Sequence, residues 1–175
     1  MIKKEEKRWY PLLARLPKEE CTAAEIGVWK CYLSKTVLAK HSKLILTLVD
    51  PWKEVTIPEG RQKLNLDQND LDKMYDFALS LNIKYPGRCN VIRDYSVNAA
   101  NTVEDVSLDL VFIDGDHSYN GVIQDIEAWR NKVKPGGWLG GHDYGPRFPG
   151  VIGAVNETFG SNVELDTDDT WWIKL

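Results

Sequence analysis

Residues 108–118 read LDLVFIDGDHS. The run is apolar, rich in β-branched and aromatic side chains, and it breaks at once into Asp114-Gly115-Asp116-His117. A short apolar run that stops on a glycine turn is the pattern of a strand buried on both faces. Such strands belong to parallel sheets with helices on either side. Polar groups just beyond them lie where open parallel sheets take their ligands, outside the carboxyl ends of the strands.

Working outward, other segments repeat that pattern. Residues 22–27, TAAEIG, predict a strand ending at Glu25-Ile26-Gly27. Residues 43–50, KLILTLVD, predict a second ending on Asp50, and residues 89–93 a third, followed by Asp94-Tyr95-Ser96. After the strand at 108–114, the Pro135-Gly136-Gly137 turn leads into a strand over 138–143 that ends on His142-Asp143. Helices are predicted over 31–41, 68–82, 119–133 and 150–159, with a short one opened by Ala99 and Ala100. Trp129 and Trp138 are expected in the core. Two last strands, near 162–166 and at 170–174, are separated by only a few residues. That is too few for a parallel crossover, so they must pair antiparallel. Trp171 and Trp172 alternate faces on the last strand, so both should be covered.

The chain has 175 residues, which suits one domain over 1–175 with a helical extension over 1–21. The net charge of −4 argues against a broad phosphate-binding surface, so no nucleic-acid partner is expected. The mixed charges of the first twenty residues read as a solvated amphipathic segment. Cys21, Cys31 and Cys89 are odd in number and show no metal-binding spacing, which suits reduced thiols in a cytoplasm. No apolar run is long enough to span a bilayer, so no membrane partner is expected.

Asp50 follows Gly27 at about the distance of the acid that holds a bound ribose; alone, it would equally serve as a turn residue. The intervening loop, Gly27-Val28-Trp29-Lys30-Cys31, has one glycine and lacks the GxGxxG through which backbone approaches a pyrophosphate. A cofactor with a ribose and no phosphates fits, and S-adenosylmethionine is one.

The segments AEIGVWKCYLS, LTLVDPW, DLVFIDGDHSYNGVIQDIEAW and KPGGWLGGHDY together resemble the class I methyltransferases. Within these, the chain is similar to the small-molecule O-methyltransferases of the macrolide and sugar type. The resemblance implies a Rossmann-like α/β fold with seven strands in the order 3-2-1-4-5-7-6, the last strand antiparallel. It implies that Glu25 and Gly27 line the methionine part of the cofactor, that Asp50 holds the ribose, and that Tyr95 and Ser96 lie beside the adenine. Cys31 stands where the family has the last glycine of its loop, and Tyr95 where an acid is common. Trp52 covers either the adenine or the sheet edge.

Methyl transfer from a sulfonium needs position and a nucleophile. An alcohol becomes one with a general base or a metal ion. Asp114, Asp143 and His142 are the candidate ligands. Two carboxylates suit magnesium, and a histidine shifts the preference toward manganese. Otherwise the two acids only bind backbone. His117 is the first candidate for general base and Asp116 its rival. Tyr144, Arg147 and Phe148 are placed to touch the acceptor, and residues 53–66 are free to act as a lid. The expected partner is a small-molecule acceptor, with the site either open or completed by a second subunit. The alternatives are a cofactor-binding module without turnover and an NAD-dependent oxidoreductase.

Overall fold

The computed structural model describes residues 7–54 and 66–175. In chain order the elements are α1 (Trp9–Arg15), β1 (Cys21–Ile26), α2 (Tyr32–Lys40), β2 (Leu44–Val49), α3 (Gln68–Lys84), β3 (Cys89–Ile92) and α4 (Ser96–Ala100). They continue with β4 (Leu108–Ile113), α5 (Tyr119–Arg130), β5 (Val133–Gly141), α6 (Pro149–Phe159), β6 (Glu164–Asp166) and β7 (Thr170–Lys174). The sheet order is β3-β2-β1-β4-β5-β7-β6. All pairs from β3 to β5 are parallel, while β7 runs antiparallel to both β5 and β6. This is the architecture expected from the sequence.

β4 is the central strand, and both of its faces are buried. Leu110 and Phe112 face one layer, and Val111 and Ile113 the other. The first layer packs under α1, α2 and α3 through Leu12, Leu33, Val37, Leu38, Ala78 and Leu81. The second packs under α4, α5 and α6 through Ala99, Val122, Ile126, Trp129, Val151 and Val155. Trp172 fills the first layer and Trp171 the second. The period-two alternation of β7 thus sends two adjacent indoles to opposite sides of the sheet.

Several local expectations need correction. Ala99 and Ala100 close α4 rather than open it. The Pro135–Gly137 segment is not a separate turn: β5 runs through it from Val133, at the cost of an irregular register opposite Leu108 and Leu110. Trp138 is only partly buried, lying beneath the Arg15 guanidinium and the Lys174 ammonium. α1 forms despite Pro11, because Pro11 lies in the first turn, where backbone N–H groups lack helical partners anyway.

The chain leaves β1 toward β2 and β3, then returns to place β4 on the other side of β1. This reversal opens a crevice at the carboxyl ends of β1 and β4. On the far side of β4, Gly140 keeps β5 close to β7. A Cβ on Gly140 would lie 2.2 Å from Cε3 of Trp172. Overpacking of this kind costs about 1–3 kcal/mol. Gly140→Ala is expected to lower stability by at least that much, read from the midpoint of urea unfolding.

Candidate active site at the strand ends

The β1–α2 connection begins at Gly27, where φ is +85°. A Cβ there would lie 2.2 Å from the Asp114 carbonyl oxygen. Glycine is therefore required both by the left-handed turn and by the contact. The strand ladder continues into the loops: Asp114 N–H donates to Ile26 O at 2.7 Å, and Gly27 N–H to Val49 O at 2.9 Å. Cys31, at the position the family gives to glycine, has φ of +56° and is fully buried. Trp29, Trp52 and Asp143 also have positive φ, so the strained non-glycine backbone of this region collects at the loops after β1, β2 and β5.

The Asp50 carboxylate binds the loop it faces. Oδ2 accepts from Val28 N–H at 3.0 Å and Trp29 N–H at 2.9 Å, and Oδ1 from Trp52 N–H at 2.7 Å. Burial raises its pKa, and these three donors partly oppose the rise. A carboxylate has about four lone-pair positions, so tying the loop and accepting from a ribose are compatible. Trp52 follows Asp50 just past the end of β2. Its indole is buried, its Nε1 donates to Trp29 O, and its ring lies 5.3 Å from that of Tyr75. Tyr95 is half-exposed at the head of α4, and Ser96 Oγ accepts from Trp129 Nε1 at 2.9 Å. A cavity of about 520 Å³ borders this edge, lined by Pro51, Lys53, Gln68, Asp72, Arg93, Asp94 and Tyr95. Of the lid expected at 53–66, residues 55–65 lie outside the described residues.

The acids and histidines gather at the ends of β4 and β5. Asp114, His117 and Asp143 each present a ligand atom within 4.8 Å of the others. His117 Nε2 lies 2.9 Å from Asp143 Oδ2 and 3.5 Å from Asp114 Oδ1. His142 Nδ1 lies 3.2 Å from Asp143 Oδ1 and 3.6 Å from Asp114 Oδ1, but neither of its ring nitrogens makes a hydrogen bond among the described residues. Asp114, His117 and Asp143 form a group with metal-ligand spacing, and His142, the histidine read from the sequence as a ligand, lies beside the two acids. Asp116 does not join it: its carboxylate accepts from Ser118 N–H and Ser118 Oγ at the start of α5. Phe148 packs on the His117 ring at 4.6 Å, and Tyr144 O–H donates to Asn156 Oδ1 at 2.6 Å.

Burial opposes charge on both histidines, yet the flanking carboxylates outweigh it and raise each pKa to about 9. Between these two carboxylates the His117 ring favours its protonated form. Burial likewise opposes charge on Asp114 and Asp143, while the two histidines hold both carboxyls below their ordinary range. Two carboxylates and an imidazole are donors that a divalent ion such as manganese or magnesium accepts. Such an ion would take over the charge balance that the imidazolium now supplies.

Two neighbours were not found by sequence reasoning. Ser34, on α2, donates to the buried Glu25 carboxylate at 2.5 Å. Arg8 donates to Asp114 from the segment expected to be solvated. Ser34 follows Glu25 by nine residues on the helix after the loop, a spacing visible in sequence. No local pattern singles out Arg8 among its charged neighbours.

A family model for the methyltransferase domain matches residues 24–144. The chain belongs to the methyltransferase-domain family. As a member it is an S-adenosylmethionine-dependent methyltransferase. No curated protein matches the methyltransferase chain by sequence. Among solved structures, it is similar to the O-methyltransferase NovP, with 17% identity and a TM-score of 0.64 over 98% of this chain and 79% of that one. It is similar to CalS11, a TDP-rhamnose 3′-O-methyltransferase of calicheamicin biosynthesis, with 14% identity and a TM-score of 0.60 over 95% and 75%. A third similar structure is the 1,6-didemethyltoxoflavin N1-methyltransferase of Burkholderia thailandensis, holding S-adenosylhomocysteine, with 13% identity and a TM-score of 0.51 over 81% and 56%. At these identities the likeness concerns the fold.

Glu25 gives a test of site electrostatics. Burial raises its pKa from 4.5 to about 8, with Ser34 and Arg8 opposing the rise. A group whose folded pKa is raised contributes stability that is complete below its unfolded pKa and is lost as pH climbs to the folded value. Across this window, from 4.5 to about 8, the cofactor-free protein should lose stability as pH rises. Glu25→Gln should flatten that loss and melt above the wild type at the alkaline end, as read by thermal unfolding across the range.

Proposed function

We propose that this methyltransferase moves the methyl group of S-adenosylmethionine to a hydroxyl of a small molecule: a sugar, a polyketide or a phenol. The observation that carries the reading is the meeting of Asp114, His117 and Asp143 beside the Gly27 turn. Acids and an imidazole around one point are the equipment for taking a proton from a hydroxyl, with or without a divalent ion. The likeness to NovP and to CalS11, both named as O-methyltransferases, supports the same acceptor atom. One domain spans 1–175 in this reading and works in the cytoplasm. The three described cysteines are free and buried, and no described helix is long and apolar enough to cross a membrane.

Bound S-adenosylmethionine supplies an electrophilic methyl whose C–S bond breaks as the C–O bond forms. Gly27 gives the loop its close approach to β4, Glu25 faces the methionine end, and Asp50 fixes the loop while accepting from the ribose. Tyr95 and Ser96 border the adenine. Asp114 and Asp143 hold His117 between them through its Nε2. A divalent ion on Asp114, His117 and Asp143 would lower the pKa of an acceptor hydroxyl. Without that ion, His117 would accept the hydroxyl proton, and only after losing its own to solvent.

Saturating S-adenosylhomocysteine, at about 100 times its dissociation constant, should add about 2.7 kcal/mol of stability. NAD should add none; stabilisation by NAD alone would overturn the cofactor assignment. Asp143→Ala should lower kcat by about 10²-fold or more while S-adenosylhomocysteine still binds. Chelation should cause a comparable loss that manganese or magnesium reverses. Turnover unaffected by either change would remove the metal from the proposal.

A further inference from the structure

The N-terminal helix reaches the active site through one side chain. Leu12 and Leu16 fix α1 in the core. Arg15 adds ion pairs to Glu164 and Asp166 and lies over the Trp172 ring. With the helix so anchored, Arg8, the residue before its first turn, extends over the carboxyl ends of β1 and β4. Its Nη1 donates to Asp114 Oδ2. Its side chain is 15% exposed, and its Nε is buried with no hydrogen-bond partner among the described residues.

A guanidinium carries five N–H groups in a fixed fork, and two parallel N–H groups match the two oxygens of a carboxylate. Among the described residues only Nη1 is engaged, and the buried Nε is left over. A buried donor without an acceptor is costly unless a ligand provides one. The surroundings narrow the choice of ligand. The crevice is lined by acids: Asp50 after β2, Asp114 after β4 and Asp143 after β5, with Glu25 on β1 only partly ionised. They suit the sulfonium and ammonium of the cofactor, but they repel its methionine carboxylate. That carboxylate needs a cation. Two other cations near these loops have partners of their own: Lys30 lies on the Trp29 ring, and Arg93 is held by Asp72 and Trp52 O. Arg8 has a donor to spare.

We propose that Arg8 binds the methionine carboxylate of the cofactor, and that its pairing with Asp114 is the cofactor-free arrangement. The inference rests on the S-adenosylmethionine assignment. In the free protein the guanidinium supplies the positive charge that the acidic strand ends require. When the sulfonium and ammonium arrive they take that part, and the guanidinium is released to the carboxylate. Arg8 thereby covers the amino-acid half of the cofactor, and only a ligand with that half gains from it.

Calorimetric titration with two ligands tests this. S-adenosylhomocysteine carries the amino-acid end; 5′-methylthioadenosine keeps the adenosine and the sulfur but lacks it. Arg8→Ala should weaken S-adenosylhomocysteine by about tenfold or more, the scale of a lost charge-assisted hydrogen bond, and leave 5′-methylthioadenosine unchanged. Arg8→Gln, which keeps length and hydrogen-bonding capacity without charge, should show the same selective loss if the alanine variant folds poorly. Arg8→Lys should retain part of the affinity. Unchanged or tighter S-adenosylhomocysteine binding in the alanine and glutamine variants would make Arg8 a mere blocker of the site and overturn the proposal. Equal losses for both ligands would assign Arg8 to the fold instead and overturn it too. A wild type that binds 5′-methylthioadenosine but not S-adenosylhomocysteine would refute the role of Arg8 alone. A wild type that binds neither would bring down the cofactor assignment on which it rests.

Discussion

Between Gly27 and the carbonyl of Asp114 there is no room for a Cβ. That contact sets how closely β1 and β4 approach at their carboxyl ends. The Asp114 N–H to Ile26 O bond and the Gly27 N–H to Val49 O bond extend the ladders of three strands into the loops. Because the strands continue so far, Asp50 reaches the β1–α2 loop with three backbone hydrogen bonds, and Asp114 stands beside His117. The positions of the side chains at the strand ends follow from this one approach of backbone to backbone.

The same closeness makes the edge expensive in charge. Glu25, Asp50, Asp114 and Asp143 are drawn together with little water, and buried carboxylates demand counter-charge. The protein meets the demand in three different ways. Backbone N–H groups satisfy Asp50, a serine hydroxyl and incomplete ionisation satisfy Glu25, and two imidazolium rings with Arg8 satisfy Asp114 and Asp143. His117 is consequently charged in the state described, although its ordinary pKa would leave it largely neutral at pH 7.

Much of this was legible in the sequence because the sheet obeys simple patterns. The apolar run 108–113, the acids that end it and the short final connection specify a parallel sheet with an antiparallel end. Strand ends read in order gave Glu25, Gly27, Asp50, Asp114 and Asp143 their places along one edge. What escaped depends on side-chain direction over long separations. Arg8 and Asp114 are 106 residues apart, and only the docking of α1 by Leu12 and Leu16 brings them together. That His117 also stands with Asp114 and Asp143 depends on how the loop after β4 turns. Asp116 looked as able as its neighbours until its bonds to Ser118 drew it to the start of α5.

β7 comes after every parallel strand in chain order, yet it lies inside the sheet, between β5 and β6. Its indoles seal both layers, and the turn before it sets Asp169 O against Tyr144 N–H just beyond Asp143. During synthesis from the N-terminus, β5 is therefore made long before the strand that covers its outer edge. In that interval β5 presents an open row of backbone donors and acceptors with Gly140 and Gly141 bare of side chains, the kind of edge that recruits other strands. The outer edge of β5 stays unpaired until β7 has arrived.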